Sequence, residues 1–286
     1  MKIGFIGQGW IGKNYADNFE ERGYDVVRYS LEAEYVGNRK QIGECDIVFI
    51  AVPTPSTPAG FDTGYLVSVL GFVGPGKIAV IKSTILPGVT EKLQRDFSDI
   101  IVLHSPEFLT EATAKYDAAY PKRNIIGYVN AQGEVAAAKV MRILPNAPYK
   151  AIIPARAAEL VKYGGNCWFY FKVVFINMLY DLAQKLGVDY ETVKEAMGFD
   201  NRIGFTHLEP RHHSGRGAGG HCFIKDFKAF ADLYGDLLKG DKAGNELLYW
   251  AQIKNLELLI SSNKDLDLVG GVYGLGKKIK QGKLPI

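Results

Sequence analysis

Ten residues near the start of the chain constrain its fold more than any other stretch. Residues 3–12 read IGFIGQGWIG: an apolar strand pattern runs into Gly7-x-Gly9-x-x-Gly12, and helical spacing follows from Ile11 to Arg22. In such a turn the first glycine allows the tight bend. The second lets a pyrophosphate come close, and the third lets helix and strand pack. The unpaired N–H groups at the helix start then point toward phosphate. GxGxxG alone is a weak signal, but directly after a strand and opening a helix it reads as a dinucleotide fingerprint.

The rest of the first half keeps that rhythm. Short runs rich in Ile and Val lie at Lys2–Ile6, Asp25–Tyr29, Asp46–Val52, Ile78–Ile81, Ile100–His104 and Asn124–Val129. They have the continuous apolar character of strands covered on both faces. Helical stretches intervene, including the Ala-rich run Ala131–Leu144, and Gly23 suits a left-handed position after the first helix. The alternation predicts an α/β fold with a Rossmann-like, doubly wound parallel sheet over residues 1–153. Near Pro154 the pattern changes. Residues 155–186 read as one long helix ending at Gly187, with further helical runs at Tyr190–Met197, Lys225–Tyr234 and Lys242–Ser261. An all-helical central domain is expected over 154–264, with residues 265–286 as a short stub. No repeat of solenoid period is seen.

Composition narrows the function classes. Hydrophobic residues make up 47% and charged residues 23%, which excludes a largely disordered chain. A net charge of +3 gives no reason to expect nucleic acid as a partner. The longest apolar run, Cys167–Tyr180, contains Lys172 and is too short to cross a bilayer, so a buried helix is expected and no membrane association. Met1 leads straight into a strand, and the chain is expected to be cytoplasmic, without a signal peptide. The three cysteines, Cys45, Cys167 and Cys222, cannot all pair and lack zinc spacing, which fits a reducing compartment. His212, His213 and His221 lie in one loop with no partner set, so no metal is expected. Glycine is in surplus, 32 of 286 residues, and concentrates at 4–12, 215–220 and 270–276.

The cofactor half of the pattern is mixed. Where an acid should end the second strand and bind ribose, the chain has Ser30, with Glu32 two residues on and Arg28 just before. NAD is favoured, and NADP stays open. The chemical half is richer. Residues 215–226, GRGAGGHCFIKD, read as a Gly-rich loop presenting Cys222, followed by Lys225 and Asp226. The long helix carries AELVKYGGN, which sets Lys162 and Asn166 one turn apart on a single face. A thiolate is a good covalent nucleophile, and a nearby cation favours it. A lysine and an amide can together stabilise a developing oxyanion. Cys45 and Cys167 read as small buried hydrophobes.

Seven motifs in order resemble the UDP-glucose/GDP-mannose dehydrogenase family: GQGWIG (7–12), AVPTP (51–55), KSTILPGVT (82–90), SPEFLTEATAKYDAAYPKR (105–123), AELVKYGGN (158–166), DNRIG (200–204) and GGHCFIKD (219–226). The resemblance implies two successive NAD-linked oxidations at C6 of a nucleotide sugar, a step of polysaccharide biosynthesis, through a cysteine thioester. It implies Cys222 as nucleophile, with Lys162 and Asn166 steadying the oxyanion. Asp226 would orient the catalytic water, with Thr84 and Glu107 near it. Gly7, Gly9, Trp10, Ile11, Gly12, Ser30, Val52, Pro53, Thr54, Thr84, Glu111 and Lys225 would hold the cofactor. Glu107, Phe108, Leu109, Lys162, Asn166, Gly219 and Arg202 would meet the sugar nucleotide, Arg202 across a homodimer built on the long helix.

The chain departs from the family at Ser30, in a short segment 31–45, at Thr110 and Ile224, and in a long His- and Arg-rich loop at 209–217. Arg211 and Arg216 of that loop, with His212 and His213, offer donors to a diphosphate. Leu268–Val272 resembles the first strand of the family's third domain, and the Lys-rich end after it reads as a solvated tail. Two alternatives accompany the nucleotide-sugar reading. One is a cofactor-binding remnant, or one part of a split enzyme completed by a separate C-terminal subunit. The other is a two-electron β-hydroxyacid dehydrogenase, which uses the Lys/Asn pair without the cysteine.

Overall fold

The structure, a computed structural model, describes residues 1–274. The chain divides into two compact units. One is Met1–Thr54 with Asp62–Lys162; the other is Pro55–Phe61 with the chain from Tyr163 onward. In chain order the strands are β1 (Lys2–Ile6), β2 (Asp25–Tyr29), β3 (Ile47–Ile50), β4 (Ser56–Thr57), β5 (Gly60–Phe61), β6 (Ile78–Ile81), β7 (Ile101–His104), β8 (Arg123–Tyr128) and β9 (Tyr149–Pro154). The helices among them are α1 (Trp10–Glu21), α2 (Arg39–Ile42), α3 (Gly64–Leu70), α4 (Val89–Asp96), α5 (Ala114–Ala119) and α6 (Ala131–Ile143).

The first unit is built on a seven-stranded sheet in the order β2-β1-β3-β6-β7-β8-β9. The strands from β2 to β7 pair in parallel. The order reverses between β1 and β3, and the crevice beyond the carboxyl ends of these strands is where an open α/β sheet binds ligands. The core is aromatic at its centre: Phe5 stacks on Phe49 at 5.0 Å between ring centroids and meets Phe19 edge-on at 5.3 Å. The sheet is not wholly parallel, as the sequence pattern suggested. β8 runs antiparallel to β7, and β9 follows β8 in parallel. The β7–β8 connection holds a short 3-10 turn at Glu111–Thr113 and the six-residue α5, which packs against α1, so the chain turns back without a full crossover helix. β9 carries no strand signal in the sequence because it is a half-exposed edge strand with prolines before and at its end.

The second unit contains the β4–β5 hairpin, the part of α7 (Ala155–Leu186) from Tyr163 on, α8 (Tyr190–Gly198), the hairpin of β10 (Arg211–His212) and β11 (Gly215–Arg216), α9 (Gly220–Leu237), α10 (Lys242–Ser261) and α11 (Leu266–Tyr273). The whole of α7 is 32 residues, about 48 Å at 1.5 Å per residue. It stops at Gly187, whose φ of +67° suits glycine, and Asp189 then caps α8 through the Glu191 and Thr192 N–H groups. Tyr170 lies flat on Phe227 at 3.8 Å between centroids, within a core shared with Cys167, Val174, Leu248 and Ala251. A second cluster joins Ile224 of α9, Leu256 and Leu259 of α10, and Val269 and Val272 of α11.

Three expectations change here. The expected central domain, 154–264, is helical apart from one small hairpin, β10–β11. The stretch expected as a strand, Leu268–Val272, lies within helix α11, because Leu266, Val269 and Val272 recur every three residues and bury one face. Helix α9 begins at Gly220, five residues before the expected start, so Cys222 stands on the first helical turn rather than in a loop. The Lys-rich end, from Leu275 onward and with it Gly276, lies outside the described residues.

Candidate active site

In the first unit the glycine turn between β1 and α1 has the geometry its sequence promised. Gly7 has φ +89°, and a Cβ there would lie 2.3 Å from the Ala51 carbonyl oxygen. A Cβ at Gly12 would lie 1.8 Å from the Gly7 carbonyl oxygen. Both positions therefore require glycine for packing alone. Gly9 differs: a Cβ there would meet nothing within 4 Å. It caps α1 with no side-chain acceptor on the helix N–H groups, and it leads into exposed Trp10 and half-buried Ile11. Open space over the start of a 12-residue helix fits a cofactor pyrophosphate. Beside it, Ser83 donates to the Val52 carbonyl and Thr54 to the Thr84 carbonyl, both at 2.7 Å, which ties residues 52–54 to 83–84.

Arg28 does not present its charge to the ribose position. Its guanidinium is largely buried between Asp17 and Glu20, each at 2.7 Å. Burial opposes the charge, but those carboxylates outweigh it, hold the guanidinium protonated and neutralise it. That removes the cation that a 2′-phosphate would need. Ser30 accepts from the Glu32 backbone N–H at 3.2 Å.

A buried ion pair lies deeper in the same unit. Lys162 donates to Glu107 at 2.8 Å, with side chains 7% and 3% exposed. The second Glu107 oxygen accepts from the Leu109 N–H at 2.7 Å, so one carboxylate orients both the lysine and the Phe108–Leu109 backbone. The Phe108 ring is covered by Arg123, whose guanidinium carbon lies 3.7 Å from the ring centroid. Close by is a lysine to which the sequence reading gave no role. Lys82 is 4% exposed, donates to Ser105 at 3.2 Å and sits 4.2 Å from the Tyr15 ring centroid. Burial pushes its pKa down to about 7; the Glu107 charge opposes the shift and the Lys162 charge adds to it. The available signal was a lysine directly after the apolar run IAVI of β6.

The second unit holds the thiol. Cys222 is half-buried on the first turn of α9, one turn before Asp226 on the same helix. Asp226 is 1% exposed; it accepts from the Asn166 amide at 2.6 Å and pairs with the Lys225 ammonium. Lys225, expected on the cofactor side, pairs with Asp226 here, and its carbonyl accepts from Ser56 of β4 at 3.0 Å. Burial pushes the Cys45 thiol up to about 11 and raises that of Cys167 further, as inert core cysteines require.

Some expected residues stay apart from these groups. Arg202 is 90% exposed and folds back onto Asp200 at 2.6 Å. Glu111 is exposed in a short turn. Arg216 is engaged through Nε with Asn177 at 2.8 Å and through Nη2 with Asp181 at 2.8 Å. Arg211, His212 and His213 are exposed on or beside the β10–β11 hairpin. Among the described residues, no three His, Cys, Asp or Glu side chains converge as metal ligands. Among them, too, no helix is long and apolar enough to cross a membrane.

Comparison with known proteins gives these groups a context. The NAD-binding domain of the UDP-glucose/GDP-mannose dehydrogenase family matches residues 28–144, and the central domain of the same family matches residues 156–240. The chain belongs to the UDP-glucose/GDP-mannose dehydrogenase family. Its first unit carries the family's NAD-binding domain, and the central-domain match contains Lys162, Asn166, Arg202, Gly219, Cys222 and Asp226. Among curated relatives, a UDP-glucose 6-dehydrogenase of Rickettsia conorii is 33% identical over 82% of this chain and 62% of its own length. One of Rickettsia bellii is 32% identical over 79% of this chain and 51% of its own. The chain thus spans about half to three-fifths of these family members. Among solved structures, a UDP-glucose dehydrogenase from the archaeon Pyrobaculum islandicum superposes with a TM-score of 0.76 at 28% identity, over 90% of this chain and 68% of that one. A UDP-D-ManNAc dehydrogenase from Pyrococcus horikoshii gives 0.75 at 25% identity, over 89% and 68%.

Proposed function

We propose that the protein is an NAD-dependent nucleotide-sugar 6-dehydrogenase of the UDP-glucose to UDP-glucuronate type, which oxidises its substrate twice through a thioester on Cys222. The observation that carries this reading is the group on one unit: Cys222 one helical turn before a buried Asp226 that is fixed by Asn166 and Lys225. A two-electron hydroxyacid oxidation has no use for that thiol.

NAD, when bound, accepts the hydride of each oxidation. The chain does the rest. In the first step the C6 hydroxyl proton passes to the Lys162–Glu107 pair as hydride leaves C6, giving the aldehyde. The Cys222 thiolate then adds to that carbon, forming a C–S bond and an oxyanion. The Asn166 amide and the Lys162 ammonium donate to that oxyanion. A second hydride departs and leaves the thioester. Water, oriented by Asp226 with Thr84 and Glu107, gives one proton to Asp226 as it adds to the thioester carbon; the C–S bond breaks, the thiolate is regenerated, and the acid product loses its remaining proton to solvent as the carboxylate. Glu107 also sets the Phe108–Leu109 backbone that we assign to the sugar. The reading places the protein in the reducing cytosol, where Cys222 stays a thiol.

The substrate test is stoichiometric. With UDP-glucose and NAD, two NADH should form per sugar acid released, and Cys222→Ser should abolish acid formation. Measurable NAD binding with no NADH from any nucleotide sugar would overturn the assignment.

We further propose a homodimer. Trp168, Phe175, Met178, Leu182 and Leu186 are each more than half exposed and recur at seven, three and four residues along α7. That is one helix face, and its chemistry matches a second copy of itself. Arg202, exposed near α8, is proposed to serve the partner subunit's substrate.

A further inference from the structure

The glycine-rich stretch before Cys222 is gripped through its main chain by side chains from a single short segment. Asn255 of α10, 2% exposed, reads Ala218 at two points: its oxygen accepts from the Ala218 N–H at 2.7 Å, and its amide donates to the Ala218 carbonyl at 3.0 Å. Ser262 accepts from the Arg216 N–H at 2.8 Å. Lys264, 5% exposed, donates to the Gly217 carbonyl at 3.0 Å. Asp265 accepts from the Gly220 N–H at 2.7 Å. Four side chains within eleven residues thus fix the backbone at 216, 217, 218 and 220.

Close approach explains the glycines. A Cβ at Gly215 would lie 2.4 Å from the Ser262 hydroxyl, one at Gly217 2.9 Å from the Asn255 oxygen, and one at Gly219 2.1 Å from the Asp265 carboxylate. The gripping segment is itself held in an unfavourable form. Asn263 and Asp265 have φ of +56° and +52°, a region that residues other than glycine seldom adopt. Asp265 also stands at the cap position of α11, yet its side chain makes no capping bond there and reaches α9 instead. Strain of this kind persists where the surrounding contacts over-determine it, and it gathers at functional sites.

We propose that Asp265 is a positioning residue for Cys222, and that with Asn255 it locks the 216–220 backbone so that the first turn of α9 presents the thiol in one geometry. The inference rests on reading Cys222 as the nucleophile. Its carrier is the carboxylate at Gly220, two residues before the thiol.

Asp265→Gly separates the carboxylate from the backbone, because glycine keeps a φ near +52° and folds there without strain. Asp265→Asn keeps both the acceptor and the left-handed tendency. In Asp265→Gly, we expect the Cys222 alkylation rate with iodoacetamide, followed by peptide mass spectrometry, to rise about fivefold or more as the loosened turn uncovers the thiol. We expect kcat to fall about tenfold or more with KM for the sugar nucleotide within about twofold, since misplacing a reacting group by an ångström acts on kcat. Asp265→Asn should restore both. Buried Cys45 and Cys167 report global unfolding in the same digest, and Asn255→Ala is a second route to the same loosening if Asp265→Gly proves unstable. Wild-type alkylation in both Asp265→Gly and Asn255→Ala, with Cys45 and Cys167 protected, would overturn the inference. Changed alkylation in a protein whose wild type oxidises no nucleotide sugar would leave the positioning standing and remove the proposed function.

Discussion

At the scale of single residues, the molecule keeps its ionisable groups in unequal surroundings, and His104 shows what that costs. It is fully buried at the end of β7; burial, with the Lys82 charge, pushes its pKa to about 3. In the unfolded chain it titrates near about 6.5. Between those values the unfolded chain binds the extra proton. The stability that the neutral ring allows is therefore complete above about 6.5 and is lost as pH falls toward 3. His104→Leu removes this dependence. Its melting temperature should gain on the wild type as pH is lowered from about 7 to about 5; a constant difference would refute the assignment. Cys222, Lys162, Asn166 and Asp226 could be proposed from sequence because each brings a chemical function at a telling spacing. Lys82, Asn255 and Asp265 could not be, because they are common polar residues. What distinguishes them is burial, or a main-chain partner 37 or 45 positions away.

Elements carry the next set of consequences. The glycine turn makes a pair of opposed forecasts. Gly12→Ala forces a Cβ onto the Gly7 carbonyl and should lower the melting temperature together with NAD affinity. Gly9→Ala has room within the protein, so the melting temperature should stay near wild type. NAD affinity should nevertheless weaken about tenfold or more, a loss of about 1.4 kcal/mol or more. Equal affinity for Gly9→Ala, by calorimetry, would show that the cofactor does not pass over this turn.

Glu159 of α7 makes another test. Its fully buried carboxylate accepts from the Gly88 and Thr90 N–H groups and the Thr90 hydroxyl at the start of α4. Glu159→Ala leaves those donors buried without a partner and should destabilise the protein by about 1–3 kcal/mol in urea unfolding. Strands β1, β2 and β6 were legible because apolar β-branched runs bounded by turn residues have few alternatives. The true start of α9 was not, because Gly219 and Gly220 read as loop. It takes the Asp265 carboxylate, remote in sequence, to satisfy the helix's first N–H. α11 was missed because five apolar residues around two glycines fit a strand as well as a helix until Val269 and Val272 find Ile224 and Leu259.

For the molecule as a whole, the sharpest forecast concerns assembly. If the exposed apolar face of α7 receives a second copy, Phe175→Glu with Leu182→Glu should convert a dimer to a monomer by light scattering. Glutamate is a good helix former, so the helix itself should survive. A wild-type monomer at assay concentrations would end the dimer proposal.

The division into units has its own consequence. The polypeptide passes between the units three times, after Thr54, after Phe61 and after Lys162. Neither unit is a single continuous segment that can be cut out and exchanged. A chimera that takes the second unit from another dehydrogenase with one junction at 162/163 would leave the native 55–61 hairpin behind, with Ser56 asked to bond a foreign Lys225 carbonyl. A graft that respects the molecule needs three junctions, and the seven residues of that hairpin must travel with helix α9, which they support.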